Sequence, residues 1–464
     1  MTTTTTTAAQ ALDLDAIRPC LEGAIPGVMS TCSADGTPNV TYISQVEYVD
    51  AAHLALSFQF FNKTRRNVLD NPWVELLVIH PMTGAMFRIA GRFLRTETEG
   101  PLFERMKAKL AGIASHTGMS GVFHLRGSDV YEVSLVEQVA TPSVEEPRGG
   151  LNRLSTLRRC AERIAACTDL DTLIERLLDC VEHDFRVDHA MLLMLDAAGQ
   201  RLYTVASRGY GSSGAGAEVP LGDGVIGVAA RTRTPIRINH MTLEYAYSRA
   251  IRDKLSERGE LGTLEREIPL QGLAEPASQL AVPISAGGVL IGTLLVESHQ
   301  EMRFSWDDED ALVTLATQFG VLARGFQLCA EAADDDAASV PGELAPPVPV
   351  APPRAAAALR VRYFEVDGSV FLDDDYLIKG VAGCVLWKLL REHAHEGRSD
   401  FTNRELRLSP EIGLPDVSDN LEARLVLLGR RLVDRQTAVR IEKTGRGRFR
   451  LHVDRPLQLA SVPR

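Results

Sequence analysis

The sequence predicts a multidomain protein of three unlike modules: a small β-barrel of α+β character, an α/β sandwich, and a small domain of helices closed by a β hairpin. Three observations predict it. The chain has 464 residues, too many for one ordinary core and suggestive of about three domains. The segment from Asp334 to Ala358 passes from an acidic run into Pro346-Pro347-Val348-Pro349-Val350-Ala351-Pro352-Pro353 and then alanines. Such a composition stays extended and separates the domains on either side of it. Finally, the first 140 or so residues read as short strands with tight turns, whereas later segments mix apolar strands with helical repeats. The expected division is a disordered tail over 1–20, the barrel over 21–142, the sandwich over 152–328, a Pro/Ala linker over 330–358 and the last domain over 359–458.

A net charge of -11, with charged and apolar residues in globular proportions, excludes wholesale disorder. It also argues against a protein coated in nucleic acid, while leaving room for one local basic face. Residues 1–10 have no basic start and no apolar core, so they read neither as a signal peptide nor as a membrane helix. No run approaches the roughly 20 apolar residues of a membrane span. The cysteines, Cys20, Cys32, Cys160, Cys167, Cys180, Cys329 and Cys384, are scattered and odd in number. They read as free thiols in a cytoplasmic protein.

In the first module, strands are expected over 27–33, 38–46, 53–57, 73–80 and 86–96, with a helix over 101–114 and a closing strand over 130–136. Ala34-Asp35-Gly36 and Met82-Thr83-Gly84 are hairpin turns in which glycine accepts a positive backbone angle. Between the third and fourth strands, Lys63-Thr64-Arg65-Arg66 packs three cations and a hydroxyl into one turn ahead of a short helix, a donor set suited to phosphate. A solvated basic turn is the other reading. The turn Ser33-Ala34-Asp35-Gly36-Thr37-Pro38-Asn39-Val40-Thr41, the basic segment ending in Leu69-Asp70-Asn71-Pro72, and the strand Val130-Tyr131-Glu132-Val133-Ser134-Leu135-Val136 together resemble the pyridoxamine 5'-phosphate oxidase-like split barrel. That family commonly binds FMN, and other members bind haem, deazaflavin or nothing. The resemblance implies that Lys63, Thr64 and Arg65 hold the phosphate, with Arg66 in place of Arg65 in a register shifted by one. It also implies that the strand with Asn39, Thr41 and Ser44 borders the flavin ring. His116 and Arg126 stand alone and read as a cap and a surface group.

In the second module, Val219-Pro220-Leu221-Gly222-Asp223-Gly224-Val225-Ile226-Gly227 places three glycines where a strand turns into a short helix. Two apolar strands follow around Gly287-Gly288. Phe304-Ser305-Trp306-Asp307-Asp308 then caps a helix in which Leu312, Leu315, Ala316 and Phe319 recur at helical spacing. This order resembles the GAF domain, the small-molecule-binding fold of many bacterial regulators, over residues 156–326. The resemblance implies a ligand over the sheet, enclosed by residues 238–280, where Tyr245, Tyr247, Arg249 and Arg252 would stack on or pair with a planar or anionic group. A solvated helix of alternating charge is the other reading. No cysteine stands there, which weighs against the bilin attachment of phytochrome-like members. Cys160 and Cys167 are expected to share one helix face as buried apolar thiols, with a redox pair or metal ligands as alternatives.

In the third module, strands over 360–366 and 368–372 lead to a helix over 380–392. A capped short helix over 399–406 comes next, then a third helix over 419–433 and a hairpin over 439–451. The order resembles the winged-helix domain of response-regulator transcription factors. The resemblance implies that the third helix enters the major groove and the hairpin touches phosphate. Arg424, Arg430, Arg431 and Arg435 on the helix, with Lys443, Arg446 and Arg448 on the hairpin, make a basic cluster in an acidic protein. Leu421, Leu425, Leu428 and Leu432 would fill the core. Val426 and Leu427 would then face outward, which fits a protein contact as the alternative.

The combined expectation is a cytoplasmic, homodimeric sensor and transcriptional regulator, its entry helix pairing through Leu154, Leu157, Ile164 and Leu173. The alternative is an FMN-dependent oxidoreductase with regulatory domains. No catalytic residue and no metal site is assigned.

Overall fold

The computed structural model describes residues 13–22, 25–43, 45–58, 63–116, 124–142, 152–196, 200–211, 214–239, 272–336, 358–412, 421–445 and 447–463. The N-terminal unit opens with a 3-10 helix, Asp15–Leu21, whose Ile17, Cys20 and Leu21 are buried. Residues 15–20 are therefore not a tail: their apolar side chains join Leu14 in the barrel core. There follow β1 Gly27–Cys32, β2 Pro38–Ile43, β3 Val46–Asp50, β4 His53–Phe58, α1 Lys63–Asp70, β5 Trp73–Ile79, β6 Met86–Glu97, α2 Pro101–His116 and β7 Gly127–Ala140. The strands form one barrel-like sheet of seven, in the order β2-β1-β5-β6-β7-β4-β3. Strand alternation sends Val74, Leu76 and Val78 of β5 inward, where they meet Met29, Leu56 and Ile89.

The middle unit comprises α3 Arg153–Ala165, α4 Leu170–Asp179, a π turn Cys180–Asp184, β8 His189–Asp196, β9 Arg201–Arg208, β10 Glu218–Pro220, α5 Gly224–Thr232, β11 Ile236–Ile238, β12 Ser278–Ala286, β13 Val289–Ser298 and α6 Trp306–Asp336. Its sheet runs β10-β9-β8-β13-β12-β11. Both faces are covered, which explains the uninterrupted apolar run of β8. Leu192 and Met194 pack in the cluster that holds Leu177, Leu315 and Phe319, while Met191 and Leu193 join Val225 and Ile226 of α5. Two glycines of the predicted turn are demanded by geometry. Gly222 has φ +93°, and a Cβ on Gly227 would lie 2.3 Å from the Pro220 carbonyl oxygen. The cap before α6 is reciprocal: the Asp308 amide donates to Ser305 Oγ at 3.2 Å and the Ser305 amide to Asp308 Oδ2 at 2.9 Å. The segment Trp306–Cys329 is long and apolar enough to cross a membrane by length and composition, and here Leu312, Leu315, Phe319 and Ala323 pack into the core. Since α6 runs on to Asp336, the expected linker starts later than residue 330, and 337–357 lie outside the described residues.

The C-terminal unit contains β14 Leu359–Phe364, β15 Ser369–Leu372, β16 Asp375–Ile378, α7 Gly380–Glu396, β17 Asp400–Thr402, α8 Asn403–Arg407, α9 Leu421–Asp434, β18 Val439–Gly445, β19 Arg448–Val453 and β20 Leu457–Val462. One sheet runs β16-β15-β14-β20 and another β17-β19-β18. β20 pairs parallel to β14, from Leu359 opposite Leu457 to Phe364 opposite Val462. The cap expected before α8 is formed by Thr402, which makes a capping box with Glu405. On α9 the buried residues are Leu421, Ala423, Arg424, Leu427, Leu428, Arg431 and Leu432. Leu427 therefore faces the core and not solvent, and Leu425 with Val426 is only half-buried.

The barrel is joined to the middle unit through buried charge. Arg237 of β11 pairs with Glu22 and, at 2.8 Å, with Glu309. The Trp306 ring lies 4.3 Å from the Arg237 guanidinium, 4.4 Å from that of Arg18 and 4.9 Å from the Lys109 ammonium.

Candidate functional site

In the barrel, β1, β2, β4 and β7 with α1 enclose a cleft of about 310 Å³ whose lining includes Met29, Tyr42, Leu56, Thr64, Arg65 and Tyr131. The register of β4 against β7 sets Leu56 opposite Asp129, so a carboxylate enters an otherwise apolar wall. Arg65 donates to Asp129 Oδ2 at 2.6 Å and to Thr96 Oγ1 at 2.5 Å, and its guanidinium lies 4.8 Å from the Phe58 ring. Burial pushes the Asp129 carboxyl above its usual range, against the pull of its Thr96 and Arg65 bonds. Burial also raises the Tyr131 hydroxyl, with Asp129 adding to the effect. Asn39 donates to Thr64 Oγ1 at 2.9 Å and to Thr31 Oγ1 at 3.3 Å, tying β2 to the first turn of α1. Lys63 and Arg66 are exposed at that turn. Thr41 lines the cleft, and Ser44 lies outside the described residues.

The apolar walls of the cleft, with Thr41, Thr64 and Arg65 among its lining, fit an aromatic ring with an anionic tail. Arg65 stands on the cleft wall with its charge shared with Asp129, and Lys63 and Arg66 are exposed beside it on α1. Nothing in the sequence separation of 64 residues pointed to Asp129 as the partner of Arg65.

In the middle unit, Tyr245, Tyr247, Arg249 and Arg252 lie outside the described residues. A buried polar cluster stands at one end of β12 and β13. Glu297 accepts from Tyr210 Oη at 2.7 Å, from the Leu273 amide at 3.1 Å and from Gln279. Burial and Glu297 together raise the Tyr210 hydroxyl. The cysteine expectation is corrected here. Cys167 falls beyond α3, and the partner of Cys160 is Cys180, because the π turn brings Cys180 and Asp184 towards α3. Ligand atoms of Cys160, Cys180 and Asp184 lie within 4.8 Å of one another. The Asp184 carboxylate is already paired with Arg163 and, at 3.8 Å, with Arg159. Ile164 and Leu173 are fully buried in their own unit, so of the residues proposed for helix pairing Leu154 is the exposed one.

The basic residues of the C-terminal unit divide. Arg431 is buried, and its Nε donates to the Leu377 carbonyl at 2.8 Å, burial pulling its pKa down. Arg424 lies 3.2 Å from Asp196 and 3.9 Å from the centre of the Tyr203 ring. Arg430 pairs with Asp171 at 2.8 Å and Glu175 at 2.7 Å. Lys443 stands 3.9 Å from Asp169. Arg435 and Arg448 are exposed, and Arg446 lies outside the described residues. The structure thus turns Arg424, Arg430 and Lys443 towards carboxylates of the middle unit. Spacing along α9 gave no signal of that, since the anions lie more than 200 residues earlier.

Residues 14–134 match the family model for pyridoxamine 5'-phosphate oxidase and residues 167–322 that for the GAF domain. No curated protein matches the chain. Among solved structures, the GAF domain of an Acinetobacter phosphoenolpyruvate-protein phosphotransferase is 24% identical, over 37% of this chain and 92% of that one, with a TM-score of 0.29. The free methionine-R-sulfoxide reductase of Neisseria meningitidis in complex with its substrate is 15% identical, over 38% and 93%, with a TM-score of 0.28. An FMN-binding protein from Syntrophomonas wolfei is 19% identical, over 28% and 92%, with a TM-score of 0.23. The chain therefore carries a pyridoxamine 5'-phosphate oxidase-type domain followed by a GAF domain, the make-up of a sensory or regulatory multidomain protein.

Proposed function

We propose that this protein is a cytoplasmic regulator in which the barrel and the GAF domain sense small molecules and the C-terminal unit acts as a winged helix on duplex DNA. The observation that carries the DNA reading is the set of basic side chains on α9 and the β18–β19 hairpin, Arg424, Arg430, Lys443 and Arg448, in a chain of net charge -11. The order of strand, helix, short helix, helix and hairpin supports it, with α9 in the position of the groove-reading helix.

For the barrel, the proposed cofactor is FMN, held at its phosphate by Lys63, Thr64 and Arg66 and bordered by Thr41 and Tyr42 of β2. When bound, FMN supplies a redox-active ring. The residues lining the cleft would position that ring, and buried Tyr131, Leu56 and Met29 would shield it from water. Haem, or no cofactor, is the alternative occupant. Self-association is supported by Val40 and Tyr42, 67% and 79% exposed on the edge strand β2. A second reading, an FMN-dependent oxidoreductase, is favoured by the cleft itself, lined by Thr41, Tyr42 and Tyr131.

The DNA reading is tested by fluorescence anisotropy of a labelled duplex with the full chain at low salt. Arg448→Ala is expected to weaken binding alike at every sequence and to lower the salt slope by about one. A change of sequence preference, or an unchanged salt slope, would count against it.

A further inference from the structure

Three of the four cations that the DNA reading names are already engaged inside the chain. Arg424, whose side chain is 6% exposed, is paired with Asp196 and lies over the Tyr203 ring. Arg430 sits between Asp171 and Glu175, and Lys443 faces Asp169. These four carboxylates belong to the GAF domain: Asp169 caps α4, Asp171 and Glu175 lie along its first turns, and Asp196 ends β8. Guanidinium groups take carboxylate and phosphate oxygens by the same directed bonds. A row of fixed carboxylates is therefore a chemical stand-in for a phosphate backbone. The space left between Leu170 and Asp171 on one side and Leu425, Val426 and Gly429 on the other is about 380 Å³. A duplex takes a whole helix into its major groove, so it has no access to α9 in this arrangement.

We propose that the acidic face of the GAF domain, Asp169, Asp171, Glu175 and Asp196, occupies the basic face of α9 and β18 in place of nucleic-acid phosphates and so holds the C-terminal unit off DNA. The inference rests on the DNA reading above. It also gives the GAF domain a route of control. The same helix carries Leu173, Ile174, Leu177 and Leu178 into the GAF core, so a ligand that repacks that core moves the anions. The apparent DNA affinity is then the intrinsic one scaled by the undocked fraction.

The test compares the full-length protein with the variant Asp171→Asn, Glu175→Gln, Asp196→Asn. The readouts are hydrogen exchange of the α9 amides and anisotropy of a labelled duplex. A matched control, Glu99→Gln, Glu104→Gln, Glu132→Gln, removes three exposed charges from the barrel. The docking variant is expected to exchange faster at α9 and to bind at least about tenfold tighter, with the control close to the parent. Equal binding by parent and docking variant, with exchange accelerated, overturns the inhibition and leaves the DNA reading standing. Equal tightening by the control attributes the gain to net charge and overturns it too, as does unchanged exchange at α9. If neither protein binds a duplex although exchange shows release, the DNA reading fails and the inference falls with it.

Discussion

At the scale of single residues, the buried charges show how much a neighbour changes a side chain's use. Arg65 reads in the sequence as a phosphate ligand, and in the fold it serves Asp129, so Arg65→Ala would strand a buried carboxylate. Glu22 is the clearer case for titration. Burial raises its pKa, with Arg237, Asn239 and Lys109 pulling the other way, and Glu309 shares the same Arg237. Unfolded Glu22 titrates lower, so folding takes up a proton as the pH falls. This stabilisation is fully present below the ordinary carboxylate range and is lost as pH rises through the raised value. Glu22→Gln mimics the protonated form and leaves Arg237 its pair with Glu309. It is expected to flatten the dependence of Tm on pH, the parent losing stability relative to the variant as pH rises. A thermal melt series across pH checks this, and a constant difference would show that Glu22 does not titrate there.

At the scale of elements, the turn into α5 is fixed most tightly. Gly227→Ala places a methyl group against the Pro220 carbonyl and, at 2.9 Å, the Gly222 nitrogen, both backbone atoms that cannot swing away. A loss of about 1–3 kcal/mol is expected, read from denaturant midpoints, and a neutral result would mean that the β10–α5 connection shifts freely. That turn was legible because glycine is the residue type that marks such backbone. The hairpin at Gly287-Gly288 and the capping boxes at Ser305 and Thr402 were legible for the same reason, since each is a rule about residues a few positions apart. Strand β20 was not. Its alternation of half-buried and exposed residues carries little apolar signal, and only its parallel pairing with β14, nearly 100 residues earlier, makes it a strand. The helical stretch at 15–20 was missed for a related reason: Pro19 argues against helix in isolation, and burial of Ile17 and Cys20 decides otherwise.

At the scale of the whole molecule, the three units are joined by charge: Arg237 fastens the barrel to the GAF domain, and Arg424 and Arg430 fasten α9 to it. The barrel is tested by an absorption spectrum of the protein after incubation with FMN and removal of the unbound excess. Lys63→Ala with Arg66→Ala is expected to weaken FMN retention tenfold or more, about 1.4 kcal/mol or greater, with the melting temperature little changed. Retention equal to the parent would remove the phosphate assignment. The sequence by itself determined the module order, the glycine turns, the caps and the presence of a basic cluster in an acidic chain, because these depend on local backbone rules and on counting charge. Only the tertiary structure decided that Arg65 faces Asp129, that Cys160 meets Cys180 and that α9 lies against the acids of α4 and β8. Those are pairings between side chains far apart in the chain, and distance in space is set by how sheets and helices pack, which no local pattern records.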